Sequence, residues 1–177
     1  MRDRDKRAAE AVLRDLCLGL QIVGVRWAPS TLVVAIEPVA PHAERHRSNL
    51  LLTIESRWTV FPARPNPVPT TEEDLPELSL DERVVALARL AGQDIVDVRL
   101  GDTQPHLILT VASGRVLFLN GHHDHYECWN LSTGDALEGH GWLIVAVPGD
   151  AIAVFDPQNT IWCEENVGTR AGLDAEH

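Results

Sequence analysis

Gly19-Leu20-Gln21-Ile22-Val23-Gly24-Val25-Arg26 near the start of the chain returns halfway along as Gly92-Gln93-Asp94-Ile95-Val96-Asp97-Val98-Arg99, with Gly, Ile, Val, Val and Arg in register. Each string follows a segment of helical spacing and precedes a β-rich run that ends near a tryptophan. The pattern predicts an α+β fold, internally duplicated: helix-plus-antiparallel-strand units packed as one compact domain about a quasi-twofold relation. A unit of roughly 60 residues buries too little surface to be comfortable alone, so the copies should share a core.

Working outward, Val12, Leu13, Leu16, Cys17 and Leu20 recur at helical steps, with Gly19 as the stop. Strands are expected at Ile22 to Trp27, Leu32 to Glu37 and Leu50 to Phe61, completing a first copy over residues 1–61. Residues 62–78 hold five prolines and the acidic Glu72-Glu73-Asp74, and read as a linker or extended crossover. Ser79-Leu80-Asp81-Glu82 is a capping box that opens a helix running to about Ala91, with Val84, Val85, Leu87, Ala88 and Leu90 as its apolar stripe. The second copy, residues 79–163, continues with strands at Ile95 to Leu100, Leu107 to Val111, Val116 to Asn120 and Tyr126 to Leu131. A turn is expected at Ala112-Ser113-Gly114-Arg115, and an additional hairpin at Trp142 to Val147 and Ala151 to Phe155. Residues 164–177 read as a mobile tail. Of the five tryptophans, at least three are assigned to the core or to the seam between copies.

The 177 residues carry a formal net charge of -11, which opposes general nucleic-acid binding and favours a basic partner. Glu10, Arg14 and Asp15 interrupt what a signal peptide would need, and no apolar run approaches a membrane span. Cys17, Cys128 and Cys163 are odd in number and form no CxxC pair, so reduced thiols and a cytoplasmic location are expected.

The densest chemistry lies in Gly121-His122-His123-Asp124-His125-Tyr126-Glu127-Cys128. If that stretch continues as strand, His123, His125 and Glu127 share one face and, with His122, offer ligands to zinc or another transition metal; His106 or His140 could complete the set. No His-Glu-x-x-His helix or EF-hand spacing accompanies them. Cys128 beside these histidines invites a nucleophile hypothesis, against which stands a buried structural thiol. A second candidate is the insertion Pro41 to Ser48, whose Arg45 and Arg47, with Arg57 and Arg64 further on, could hold a nucleotide or other anion. Neither glycine-rich phosphate loop pattern supports it.

The duplicated Gly-x-x-Ile-Val-x-Val-Arg string with its strand meander and late tryptophan resembles small β-rich bacterial domains of unknown function, some of them immunity-like. That resemblance implies a non-catalytic protein acting by binding a protein partner or small ligand, and it transfers no functional residue. A metal-binding protein or metal-dependent enzyme built on the His-rich stretch, and an anion site on the arginines, are the alternatives.

Overall fold

The computed structural model describes residues 1–28, 31–39, 49–133 and 141–157. The tail from 164, Trp162, Cys163, His140, Arg45 and Arg47 lie outside them. Within the described residues, helix α1 (Asp3–Cys17) leads into β1 (Gln21–Ala28), β2 (Thr31–Glu37), β3 (Leu50–Ile54) and β4 (Trp58–Phe61). Helix α2 (Leu80–Ala88) then leads into β5 (Ile95–Leu100), β6 (Leu107–Val111), β7 (Val116–Leu119) and β8 (Trp129–Thr133), followed by the hairpin β9 (Leu143–Val147) and β10 (Ala151–Phe155). The class is α+β, with two antiparallel sheets.

The strand orders are β1-β2-β3-β8-β9-β10 and β4-β7-β6-β5. Each half therefore lays down three neighbouring strands and sends its fourth to the other sheet: β4 pairs with β7, and β8 pairs with β3. The span from Leu50 to Phe61, expected as one strand, is two, because Glu55, Ser56 and Arg57 carry the chain between sheets. The added hairpin extends β8 and widens the first sheet to six strands.

The two glycine strings occupy matching places. Gly19 and Gly92 both follow a helix with φ of 82° and 72°, a backbone state glycine enters without the Cβ penalty. Gly19 N–H donates to the Ile95 carbonyl and Gly92 N–H to the Ile22 carbonyl, each at 2.9 Å. Both following strands break register at the same point of the string, between Ile22 and Gly24 and between Ile95 and Asp97.

Between the sheets lies the main core, to which α1 adds Ala9, Leu13 and Cys17. β1 starts beside Asp94 at the head of β5, and its Trp27 reaches Trp58 of β4, with ring centroids 6.0 Å apart. Since β5 and β4 are opposite edges of the second sheet, the strands of the two layers cross. β6 and β7 are apolar on both faces for a stated reason. Leu109, Leu117 and Leu119 point into the main core, while Ile108, Val116 and Phe118 meet Leu75, Phe61 and Val68 on the far side. The proline-rich segment thus packs as a cover on that face.

Some sequence expectations are corrected. Helix α2 ends at Ala88, and its Val84 and Val85 are exposed, because only Leu87 and Leu90 of that stripe reach the core. The Ser79–Glu82 capping box is present in both directions. Trp58 and Trp129 are buried and Trp142 packs on the core, whereas Trp27 stays partly open.

Trp129 is fully buried, and its Nε1–H donates to the Pro105 carbonyl at 2.8 Å. Trp129→Ala should lower unfolding free energy by about 3–5 kcal/mol through the cavity it leaves. Trp129→Phe should cost about 1–3 kcal/mol, chiefly by orphaning the carbonyl. Urea titration checks both, and equal losses for the two variants would contradict the role given to the indole N–H.

Candidate functional site at the sheet crossover

The chain crosses from the first sheet to the second at Glu55–Arg57, and from the second to the first at Asn120–Cys128. The crossings lie against each other. Glu55 and Ser56 N–H both donate to the Cys128 carbonyl at 3.0 Å, and Asn120 N–H donates to the Arg57 carbonyl at 2.9 Å. The longer crossing has residues to spare, and they build the site.

Its base is fully bonded. Asn120 is buried, and its amide nitrogen donates to Glu72 Oε1 at 3.0 Å and to the His122 carbonyl at 2.8 Å. Ser56 Oγ donates to the Asn120 carbonyl at 2.6 Å. Gly121 N–H donates to His106 Nδ1 at 2.9 Å, and a Cβ at position 121 would stand 2.1 Å from the Pro105 carbonyl oxygen, so only glycine fits. With Nδ1 accepting, the His106 proton sits on Nε2, which faces Gln104 Oε1 at 2.7 Å. Burial pushes the His106 pKa below its ordinary value, opposed by a Thr70 backbone contact and the Asp150 charge.

The loop is also clipped sideways. His122 Nδ1 lies 2.6 Å from Asp150 Oδ1 in the β9–β10 turn, and Gly149 N–H donates to the His123 carbonyl at 3.3 Å. Asp150 adopts φ of 59°, a state its short polar side chain tolerates better than most. Its hydrogen bond raises the His122 pKa above the ordinary value, with the Asp150, Asp124 and Glu72 charges adding to the effect against burial.

Above this base, His123, Asp124, His125, Tyr126 and Glu127 are exposed in succession. His123 Nδ1 accepts the N–H groups of His125 and Tyr126, each at 3.1 Å, which assigns the neutral ring's proton to Nε2. Tyr126 is 70% exposed and its ring centroid lies 4.9 Å from that of His123. Together with Glu55, Ser56, Arg57, Glu72 and Arg83, the loop lines an open groove of about 490 Å³.

The expected strand over Tyr126 to Leu131 begins only at Trp129, and residues 120–128 are irregular, because side chains of Asn120 and His123 take up backbone groups that a ladder would have used. The alternation placing His123, His125 and Glu127 on one face therefore does not hold. His122 turns to Asp150 while His123 turns back on its own loop. Among the described residues, no group of three or more His, Cys, Asp or Glu side chains is placed to share a metal ion. His106 is tied into the base by Gly121 and Gln104.

Cys128 is buried, and burial first, then the Glu72 and Asp150 charges, pushes its thiol up to about 12. It is protonated at neutral pH, which fits the structural thiol and not the nucleophile. Of the arginines grouped on sequence, Arg57 lines this groove and sends Nη2 toward the Leu75 carbonyl at 3.5 Å. Arg64 lines a different groove, with Lys6, Glu10, Arg14, Arg99 and Asp102. On sequence alone Asn120, Glu72, Arg83 and Asp150 carried no functional assignment. The local signals were the acidic run that holds Glu72 and the Pro148-Gly149-Asp150 connection between the two strands of the expected hairpin.

No family model matches the chain, and no curated protein or solved structure matches it either. Among the described residues no helix is long and apolar enough to cross a membrane.

The two histidines at the base give opposite pH dependence. For His122 the folded pKa lies above its ordinary 6.5, so its stabilisation is present below that value and is lost as pH rises through the raised folded pKa. For His106 the folded pKa is depressed, so its contribution is present above 6.5 and is lost as pH falls through the folded pKa. The stability difference between the parent chain and Asp150→Asn, followed by thermal unfolding from about pH 6 to 9, should be largest at the acid end and shrink with rising pH. A difference independent of pH would contradict the clip.

Proposed function

We propose that this is a non-catalytic binding protein whose ligand site is the groove at the crossover, and that its partner presents a basic, extended segment. The observation that carries this reading is the contrast between the bonded base of loop 120–128 and the exposed side chains it displays. His123, Tyr126 and Glu127 are exposed and line the groove, while Asn120, Gly121 and His122 are held by hydrogen bonds at the loop's base. A pre-held display of this kind reduces the ordering cost of binding. Glu55, Glu72 and Glu127 outnumber Arg57 and Arg83 on the lining, and Tyr126 offers an aromatic face to a cation. The overall charge of -11 steers a basic partner inward.

The chain is, on the same proposal, an internal duplication about a quasi-twofold relation. Support comes from the reciprocal Gly19–Ile95 and Gly92–Ile22 hydrogen bonds, the bulge at the same point of both strings, and the exchange of fourth strands. On that view loop 120–128 is the insertion that the second copy adds at the place where the first copy has only Glu55, Ser56 and Arg57.

Affinity selection from a lysine- and arginine-rich peptide library at moderate salt tests the binding site. The expected result is enrichment that Tyr126→Ala and Glu127→Lys each reduce at least about tenfold, the loss of roughly 1.4 kcal/mol. No enrichment, or equal enrichment by the variants, would contradict the proposal. Running the same chain with zinc and with nucleotides in a thermal-shift assay reads the alternatives directly, since a native-state ligand raises apparent stability.

A further inference from the structure

The sheets end in four edge strands, and three of them are attended by helices: β5 and β10 pack against α1, and β4 against α2. On β5 the cover reaches the backbone itself. Arg14 Nη1 donates to the Val98 carbonyl at 3.3 Å, and Glu10 Oε1 accepts the Leu100 N–H at 2.7 Å. The same guanidinium and Arg99 both bond the Asp97 carboxylate, closing that edge with side chains of fixed geometry.

β1 is the counterpart of β5 in the repeated string; Gln21 and Ile22 at its head bridge to Asp94 and Ala91, but from Gly24 onward β2 is the one strand paired with it among the described residues. The register that pairs Gly24 with Ala35, Arg26 with Val33 and Ala28 with Thr31 alternates with the pairs Val25–Val34 and Trp27–Leu32. Val25 and Trp27 stand where Val98 and Leu100 stand in β5, so their N–H and C=O groups point away from β2. Val23, Val25 and Trp27 are 43%, 38% and 41% exposed. Beyond Ile22 this edge shows apolar side chains and, among the described residues, no strand, lysine or proline that blocks it, which makes it a template for another strand.

We propose that the occupant is the β1 strand of a second copy of this chain, added antiparallel across a two-fold axis through Val25, so that the six-stranded sheet continues as one sheet of the dimer. The string is self-complementary in that register. Val25 faces Val25 of the second copy, Val23 faces Trp27, and Arg26 faces Gly24, so the strand's one charge never meets its like. The outward groups of Val25 and Trp27 gain partners, and three exposed apolar side chains per chain are covered. The net charge of -11 acts against association at long range, but a Debye length of about 8 Å at physiological salt confines that repulsion. This surface is separate from the crossover groove, so either proposal can fail without the other.

Sedimentation velocity of the full chain at about 100 μM and about 0.15 M salt tests the proposal. The expected result is a dimer. Val25→Pro removes an N–H that β2 does not use, and should give a monomer with a cooperative unfolding transition. Gly24→Asp provides a second measurement that preserves the edge: a Cβ there meets only the Ala35 Cβ at 3.8 Å, and the new carboxylate would face Arg26 of the second copy. It should tighten the dimer several-fold, with the gain shrinking at high salt. A monomeric parent chain, including one that pairs β1 only with a strand of another protein, would overturn the proposal. So would a fully dimeric Val25→Pro variant, or a Gly24→Asp dimer no tighter than the parent.

Discussion

The Cys128 carbonyl accepts the N–H groups of Glu55 and Ser56, and a few ångströms away the Arg57 carbonyl accepts the N–H of Asn120. These bonds hold together the places where the chain leaves one sheet for the other, and much of the molecule depends on them. Because β4 and β8 each belong to the sheet that the other half builds, neither half can complete its hydrogen-bonded ladder alone. The shared core follows from the same exchange, since the inward side chains of both sheets have no other surface on which to pack. The groove follows as well, because the surplus residues of the longer crossing have to stand above the shorter one.

The element pattern was legible where burial is one-sided or a local motif dictates the backbone. β2 alternates buried and half-buried residues, and the Ser79–Glu82 box and Gly114 turn act within a few residues of themselves. The repeated string also located two glycines whose positive φ a side chain would have opposed. What sequence could not distinguish was a long strand from two strands in different sheets. Leu50 to Phe61 is strand-like on both sides of the polar Glu55-Ser56-Arg57, and it is distant partners in Cys128 and Asn120 that make those three residues a crossing between sheets. The exposed valines of α2 were misplaced for a related reason: periodicity names an apolar stripe, but not whether a surface exists to cover it.

The candidate site was half legible. A cluster of three of the chain's eight histidines pointed to residues 121–128, and part of that stretch lines the groove. The individual roles were not readable, because each depends on contacts far along the chain. His122 is decided by Asp150, His106 by Gly121, and Asn120 by Glu72. Strand alternation was the wrong rule for a segment whose own side chains consume its backbone hydrogen bonds.

The central claim is that the exchanged fourth strands make the two sheets one cooperative unit. Native-state hydrogen exchange measures this most directly, amide by amide. The amides of Gly19, Gly92 and Ile95, which bond between the two strings, and those of Asn120 and Ser56 at the crossings, should exchange only by global unfolding. Their opening free energies should then equal those of β3 and β7. A lower, shared free energy for all amides of one sheet, with the other sheet still protected, would show that the sheets open separately and would contradict the account.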